Sequence, residues 1–284
     1  MTSATSEQRP AAARFDLRRT EIDDVLMRVQ RALDTHLDLK RAVRKRRSVG
    51  APTSRGTWVR IELRGVERLD GQGWGTEATA VFNGVVAPGW LAGLSWTDPQ
   101  RTAVWRADET ALIPDPPIGR ATAAADLPDP WWAAFNASLD ALSAQPTTRR
   151  ATPDCEPVTQ ERITSVIDAV FPGQVDTAID EWAPAHADLN WANLTAPNCW
   201  ILDWEDFGLA PRGLDAACLW STSLAVPPLA ARIRHDRGPD LFSHTGRIMA
   251  LYYCARRIAL NEQDDPALNI AVQEATRFIE QLTL

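Results

Sequence analysis

The sequence predicts an α+β protein in two lobes, a small mixed α/β lobe followed by a larger, mainly helical one. Strand-like runs bounded by glycine gather before residue 112, and helical periodicity dominates after residue 128. Between them "IPDPPIG", residues 113–119, carries three prolines that break any regular element, and the lobe boundary is placed there. The expected division is a disordered tail over 1–15, a first lobe over 16–112 and a second over 113–284.

The opening is rich in Ser, Thr and Ala and has no periodicity, hence the disordered tail. Thr20, followed by Glu21 and Asp23, reads as an N-cap for a helix whose apolar positions are Ile22, Val25, Leu26, Val29 and Leu33. "GTWVRIELRG", residues 56–65, and "RTAVWRAD", residues 101–108, read as strands, with the Gly-rich "DGQGWG" turn between them. "TEATAVFNGV", residues 76–85, reads as a short helix capped by Thr76 and closed near Gly84. Further on, helices are expected from Asp129, Thr159, Leu214, Gly246 and Asp265, the last with Pro266 at its first position.

With 284 residues, 45% of them apolar, the chain can bury a sizeable core. No run approaches the length of a membrane span and the opening has no apolar export segment, so a cytoplasmic protein is expected. Cys155, Cys199, Cys218 and Cys254 are scattered without C-x-x-C spacing, and the four histidines form no helical ligand pair, so neither a disulfide framework nor a structural metal is expected. The net charge of -7 disfavours nucleic acid as a partner. "KRAVRKRR", residues 40–47, is a local exception that holds the only lysines of the chain, Lys40 and Lys45, and reads as a solvated basic face or a polyanion contact.

The densest chemistry lies in "HADLNWAN", residues 186–193, and "CWILDWED", residues 199–206. Leu194 and Thr195 continue one strand, Ala196, Pro197 and Asn198 supply a turn, and Cys199 to Leu202 return. Asn193 and Asp203 then lie at the open end of a hairpin, on strands about 5 Å apart. A carboxylate and a carboxamide oxygen there suit magnesium, which takes one or two protein oxygens together with substrate phosphates. Asp188 faces the same space and would accept the proton of an attacking hydroxyl. The alternative is a polar hairpin whose Asn and Asp side chains only cap turns. His-x-Asp-x-x-x-x-Asn, a tight apolar hairpin and then an Asp favour the functional reading.

"HADLNWANL…ILDWEDFGLAPRGLDAACLW" resembles the catalytic segment of the aminoglycoside phosphotransferase and choline kinase superfamily, relatives of protein kinases. The resemblance covers about residues 184–220 and implies a two-lobed protein-kinase-like fold. It implies that Asp188 is the catalytic Asp, that Asn193 and Asp203 are the magnesium ligands, that His186 packs within the loop and that Asp215 braces it. Asp206 and Glu205 approach a second magnesium or the acceptor, or are solvated turn residues.

The first lobe departs from the pattern. The family expects a strand Lys that contacts the phosphates and pairs with a helix Glu. Arg60 is the best substitute and Glu77 its natural partner; otherwise they are a strand-edge Arg and a capping Glu. "SVGAPTSRG", residues 48–56, is the candidate phosphate-covering loop. Of the twelve tryptophans, Trp191 and Trp204 stand inside the catalytic stretch, and Trp191 is the one to test as an acceptor contact.

The expected function is an ATP- and magnesium-dependent phosphotransferase moving the γ-phosphate to a hydroxyl of a small molecule. The alternatives are a nucleotide-binding scaffold with little transfer activity and a peptide Ser/Thr kinase. A polycationic acceptor would need an acidic pocket, for which Glu262, Asp264 and Asp265 offer a diffuse cluster.

Overall fold

The computed structural model describes residues 16–65, 75–153, 156–260, 262 and 264–283. The tail over 1–15, most of the "DGQGWG" turn and Cys155 lie outside these residues. The chain forms two compact units, one of residues 1–70 and 88–114, the other of 71–87 and 115–284.

In the first unit α1, Asp23–Ala32, places Val25, Leu26 and Val29 on one face, each buried and each contributing roughly 1.5–3 kcal/mol. Its N-cap is Ile22; Thr20 instead donates its hydroxyl to the Asp16 carbonyl. That face covers an antiparallel sheet of β1 (Val43–Arg44), β2 (Ser48–Pro52), β3 (Thr57–Gly65), β4 (Trp90–Asp98) and β5 (Ala103–Ala111), in the order β1-β2-β3-β5-β4. Val59, Ile61 and Leu63 of β3 alternate toward α1, beside Ala107 and Trp105 of β5. The opposite face is ionic: Arg64 donates to Glu62 at 3.0 Å, and Arg106 donates to Asp108 from Nε at 3.0 Å and from Nη2 at 2.6 Å.

Two expectations change here. Residues 48–52 are not a loop but the buried strand β2, whose register against β3 runs from Ser48↔Glu62 to Pro52↔Trp58, so its backbone is engaged in the sheet. β4 carried no readable signal, because none of its residues is fully buried and Gly93 reads as a breaker. A Cβ at Gly93 would sit 2.8 Å from Arg106 Nη2 and 2.8 Å from Asp108 Oδ1, so a side chain there would displace the ionic pair from its present arrangement.

The second unit is mainly helical: α2 (Asp129–Ser143), α3 (Gln160–Asp168), α4 (Leu214–Thr222), α5 (Pro227–Asp236), α6 (Gly238–Leu241), α7 (His244–Leu260) and α8 (Leu268–Thr283), with β6 (Trp182–Ala185) paired to β7 (Gly208–Pro211). Trp131, Trp132, Phe135, Trp191, Trp204 and Phe207 belong to one continuous core. Thr159 caps α3 by accepting from the Arg162 N–H at 3.2 Å, as its sequence position indicates. α8 begins at Leu268, after Asp265 has accepted from the Ala267 N–H at 3.0 Å. α5 was unread: its buried stripe is only Leu229, Ala230 and Ile233 amid charged residues.

The segment 75–87, expected in the first lobe, clusters with the helical unit. Phe82 packs edge-on against both Trp204 and Phe207 at 4.9 Å, and the Val86 carbonyl accepts from the Ile201 N–H at 2.9 Å. Its helical part is a 3-10 turn, Gly75–Ala80, that ends before Gly84. Among the described residues no helix is long and apolar enough to cross a membrane.

Candidate active site

Strand β6 delivers the chain to His186, where the direction is fixed by one buried carboxylate. Asp215, in the first turn of α4, accepts the His186 N–H at 2.7 Å and the Ala187 N–H at 2.8 Å. The helix is brought there by Gly213, whose φ of 84° lies in the left-handed region, and a Cβ on it would meet the Asp240 carbonyl at 2.9 Å. Burial pushes the Asp215 carboxyl above the usual carboxylate range, opposed by His186 and the two backbone donors.

His186 is fully buried and joins the two halves of the site. Its Nδ1 accepts from the Asp188 N–H at 3.2 Å while Nε2 donates to the Leu202 carbonyl at 2.7 Å, and its ring stands edge-on to Trp204 at 4.7 Å. It is a packing and positioning group, as the resemblance implies.

The hairpin is present in minimal form. Leu194 bridges Ile201, the Thr195 N–H donates to Trp200 at 3.1 Å, and the Leu202 N–H donates to the Asn193 carbonyl at 2.8 Å. Asn193 and Asp203 therefore stand at its open end. Asp203 itself adopts left-handed backbone angles, φ 67° and ψ 57°, an uncommon conformation for a non-glycine residue and one that turns the chain into the Trp204–Asp206 3-10 turn.

Asp188 is held from both sides. Asn193 Nδ2 donates to Oδ2 and Asn190 Nδ2 to Oδ1, at 2.9 and 3.0 Å, and both amides also reach the Asp188 carbonyl. Burial raises the Asp188 carboxyl above its ordinary range and the nearby Asp203 charge adds to this, while His186 and the two amides pull it down. Asp203 follows Leu202, whose N–H is bonded to the Asn193 carbonyl, and its charge adds to the rise of the Asp188 carboxyl. Asn190 was not singled out in the sequence; its signal was its position two residues after Asp188, where its Oδ1 also caps Ala192 at 2.9 Å.

Asn193 spends its amide nitrogen on Asp188, which leaves its oxygen as the donor for a cation. Among the described residues no three His, Cys, Asp or Glu side chains form a metal cluster. One carboxamide oxygen and one carboxylate match a magnesium ion that takes its remaining ligands from water and phosphate.

Other expected residues fall elsewhere. Trp191 is buried in the core, its Nε1 donating to Ser223 Oγ at 2.9 Å, so it is not an acceptor contact. Trp204 is also core, its Nε1 donating to the Ile201 carbonyl at 2.6 Å. Asp206 is not a solvated turn residue: it is buried, and Oδ1 accepts from Thr152 Oγ1 at 3.1 Å. Arg60 is half-buried on β3, directly across from Asp108 of β5, in the first unit. Glu77 is exposed on the 3-10 turn Gly75–Ala80, in the second.

Residues 120–249 match the phosphotransferase enzyme family. The resemblance read over about residues 184–220 is borne out by this match. No curated relative matches the chain in sequence. Among solved structures the chain is similar to an amicoumacin kinase in complex with AMP-PNP and calcium, at 10% identity and a TM-score of 0.56, over 93% of this chain and 95% of that one. It is similar to aminoglycoside 2'-phosphotransferase-IIIa in its GDP complex, at 10% identity and a TM-score of 0.55, over 92% and 99%. A third likeness is to aminoglycoside phosphotransferase APH(4)-Ia in a ternary complex with AMP-PNP and hygromycin B, at 14% identity and a TM-score of 0.55, over 92% and 97%. The fold is therefore the protein-kinase-like one that these solved structures share.

Proposed function

We propose that the protein is an ATP- and magnesium-dependent phosphotransferase that moves the γ-phosphate to a hydroxyl of a small molecule. The observation that carries this reading is the convergence of Asp188, Asn193 and Asp203 at the end of one hairpin, on a loop braced by Asp215. Asp188 orients the acceptor hydroxyl and takes its proton as the new P–O bond forms and the bond to ADP breaks. Its raised carboxyl makes it a better base than a free carboxylate. Asn193 Oδ1 and the Asp203 carboxylate would hold the magnesium ion, which when bound supplies positive charge to the phosphates. Arg60 and Glu77 are assigned to the nucleotide, Arg60 offering a planar fork where the family has a point charge. A cytoplasmic location goes with the use of ATP.

The test is magnesium-dependent ADP release over acceptor libraries, after a thermal-shift screen with ATP, GTP and magnesium. Unchanged turnover in Asp203→Ala would refute the metal assignment. One observation favours a second reading, a nucleotide-binding scaffold: β3 carries no Lys. Tight ATP binding without turnover for any acceptor would decide for it.

A further inference from the structure

The helical unit holds a cavity of about 760 Å³ that the transfer reading does not use. Its walls come from α2, β6, the β7–α4 turn and the α5–α6 junction, and they include Asp215 but none of Asp188, Asn193 and Asp203. Leu139, Leu142, Ala185 and Leu214, all buried, supply its apolar side. Small-molecule sites have this size, about 300–1,000 Å³, and this mixture of apolar wall and a few polar groups.

The charged part of the wall is unbalanced. Five carboxylates, Asp140, Glu181, Asp215, Asp236 and Asp240, line it together with two guanidiniums, Arg212 and Arg237. Both guanidiniums are spent within the wall. Arg237 Nη1 donates to Asp140 Oδ1 at 2.8 Å and its Nε to Asp240 Oδ2 at 3.0 Å. Arg212 Nη1 donates to Glu181 Oε2 at 2.8 Å and its Nε to Asp240 Oδ1 at 3.3 Å. Asp236 accepts from a third guanidinium, Arg232 Nε at 2.7 Å, and Asp215 from the His186 and Ala187 N–H groups. Asp140 and Glu181 take these bonds on one oxygen each, and 71% and 49% of their side chains stay exposed. Negative charge thus exceeds positive around a concave wall with a low-dielectric side, which concentrates cations.

We infer that this cavity is a second ligand site, separate from the transfer site, for an ammonium-bearing molecule with an apolar body. The ammonium meets the open carboxylate of Asp140 or Glu181, and the body lies along Leu139 and Leu214. An anion would meet like charge in excess. An occupant lies against Asp215, the carboxylate that braces the His186–Ala187 turn, so the site is placed to bear on the loop that carries Asp188. The inference does not depend on the transfer reading.

The experiment titrates the full chain with tryptamine, indole-3-acetamide and indole-3-acetate. These share one aromatic body, carry positive, no and negative charge, and have no hydroxyl to receive phosphate. Thermal shift and calorimetry should show tryptamine bound most tightly and the acid least. Asp140→Asn combined with Glu181→Gln should weaken tryptamine binding about tenfold or more. Ser143→Arg, which puts a cation on the cavity wall at the exposed end of α2, should do the same while removing no ion pair. Asp188→Asn should bind tryptamine as the native chain does. No preference for the amine over the acid, a preference that survives either wall change, or loss of amine binding in Asp188→Asn overturns the inference. Amine binding of the expected pattern, with no ADP release for any acceptor, sinks the transfer reading alone.

Discussion

Asn193 donates its amide to Asp188 twice, to Oδ2 and to the carbonyl, both at 2.9 Å. The residue proposed to offer an oxygen to the metal also aims the proposed base. Asn193→Ala should therefore raise the magnesium concentration for half-maximal ADP release and lower kcat together. A variant that alters one without the other would separate the two roles.

Asp188→Asn should reduce kcat by about 10²–10⁴, the range for loss of a general base. Its effect on stability has the opposite sign. The Asp188 carboxyl is raised by burial, so the folded state favours the protonated form: that contribution is full below the unfolded pKa and is lost as pH rises through the folded one. The melting temperature of Asp188→Asn should thus gain on that of the native protein as pH rises from about 4 toward 8. Parallel melting curves across this window would count against the burial argument.

Asn190 pulls the Asp188 carboxyl down by donating to Oδ1. In Asn190→Leu that stabilisation of the ionised form is gone, Asp188 titrates higher, and the acid limb of the kcat profile should move to higher pH. A shift to lower pH would contradict the assignment of Asp188 as the base.

Asp215→Ala would strand the N–H groups of His186 and Ala187 in the core. Each buried unsatisfied donor costs about 1–3 kcal/mol, so chemical denaturation should show a loss of at least about 2 kcal/mol, with activity falling as the loop loses its brace. Asp215→Asn keeps one acceptor oxygen and should lose less.

Trp191→Phe removes the hydrogen bond to Ser223 and should cost about 1 kcal/mol with acceptor KM unchanged, because the ring is core and not pocket wall. A selective rise in acceptor KM would restore Trp191 to the site.

The helical unit was legible because its helices carry caps and apolar stripes that survive in one dimension, as Thr159 and the stripe of α2 do. The short-range arrangement was legible too, since Asp188 and Asn193 are five residues apart and one tight hairpin leads on to Asp203, which leaves little freedom in where they stand. β4 and α5 were not, because their partners rather than their own periodicity determine them: Gly93 answers to Arg106 and Asp108 across the sheet. The same holds for Trp191, which looks like a site residue in sequence and is buried by α2 in space.

By itself, then, the sequence determined the α+β class and the three oxygen-bearing residues at the end of the hairpin, because local spacing and turn chemistry act over a few residues. Only the tertiary structure decided that segment 75–87 packs with the helical unit and that Asp206 is buried against Thr152. Those outcomes depend on which distant surfaces exclude water together, and no local pattern encodes that choice.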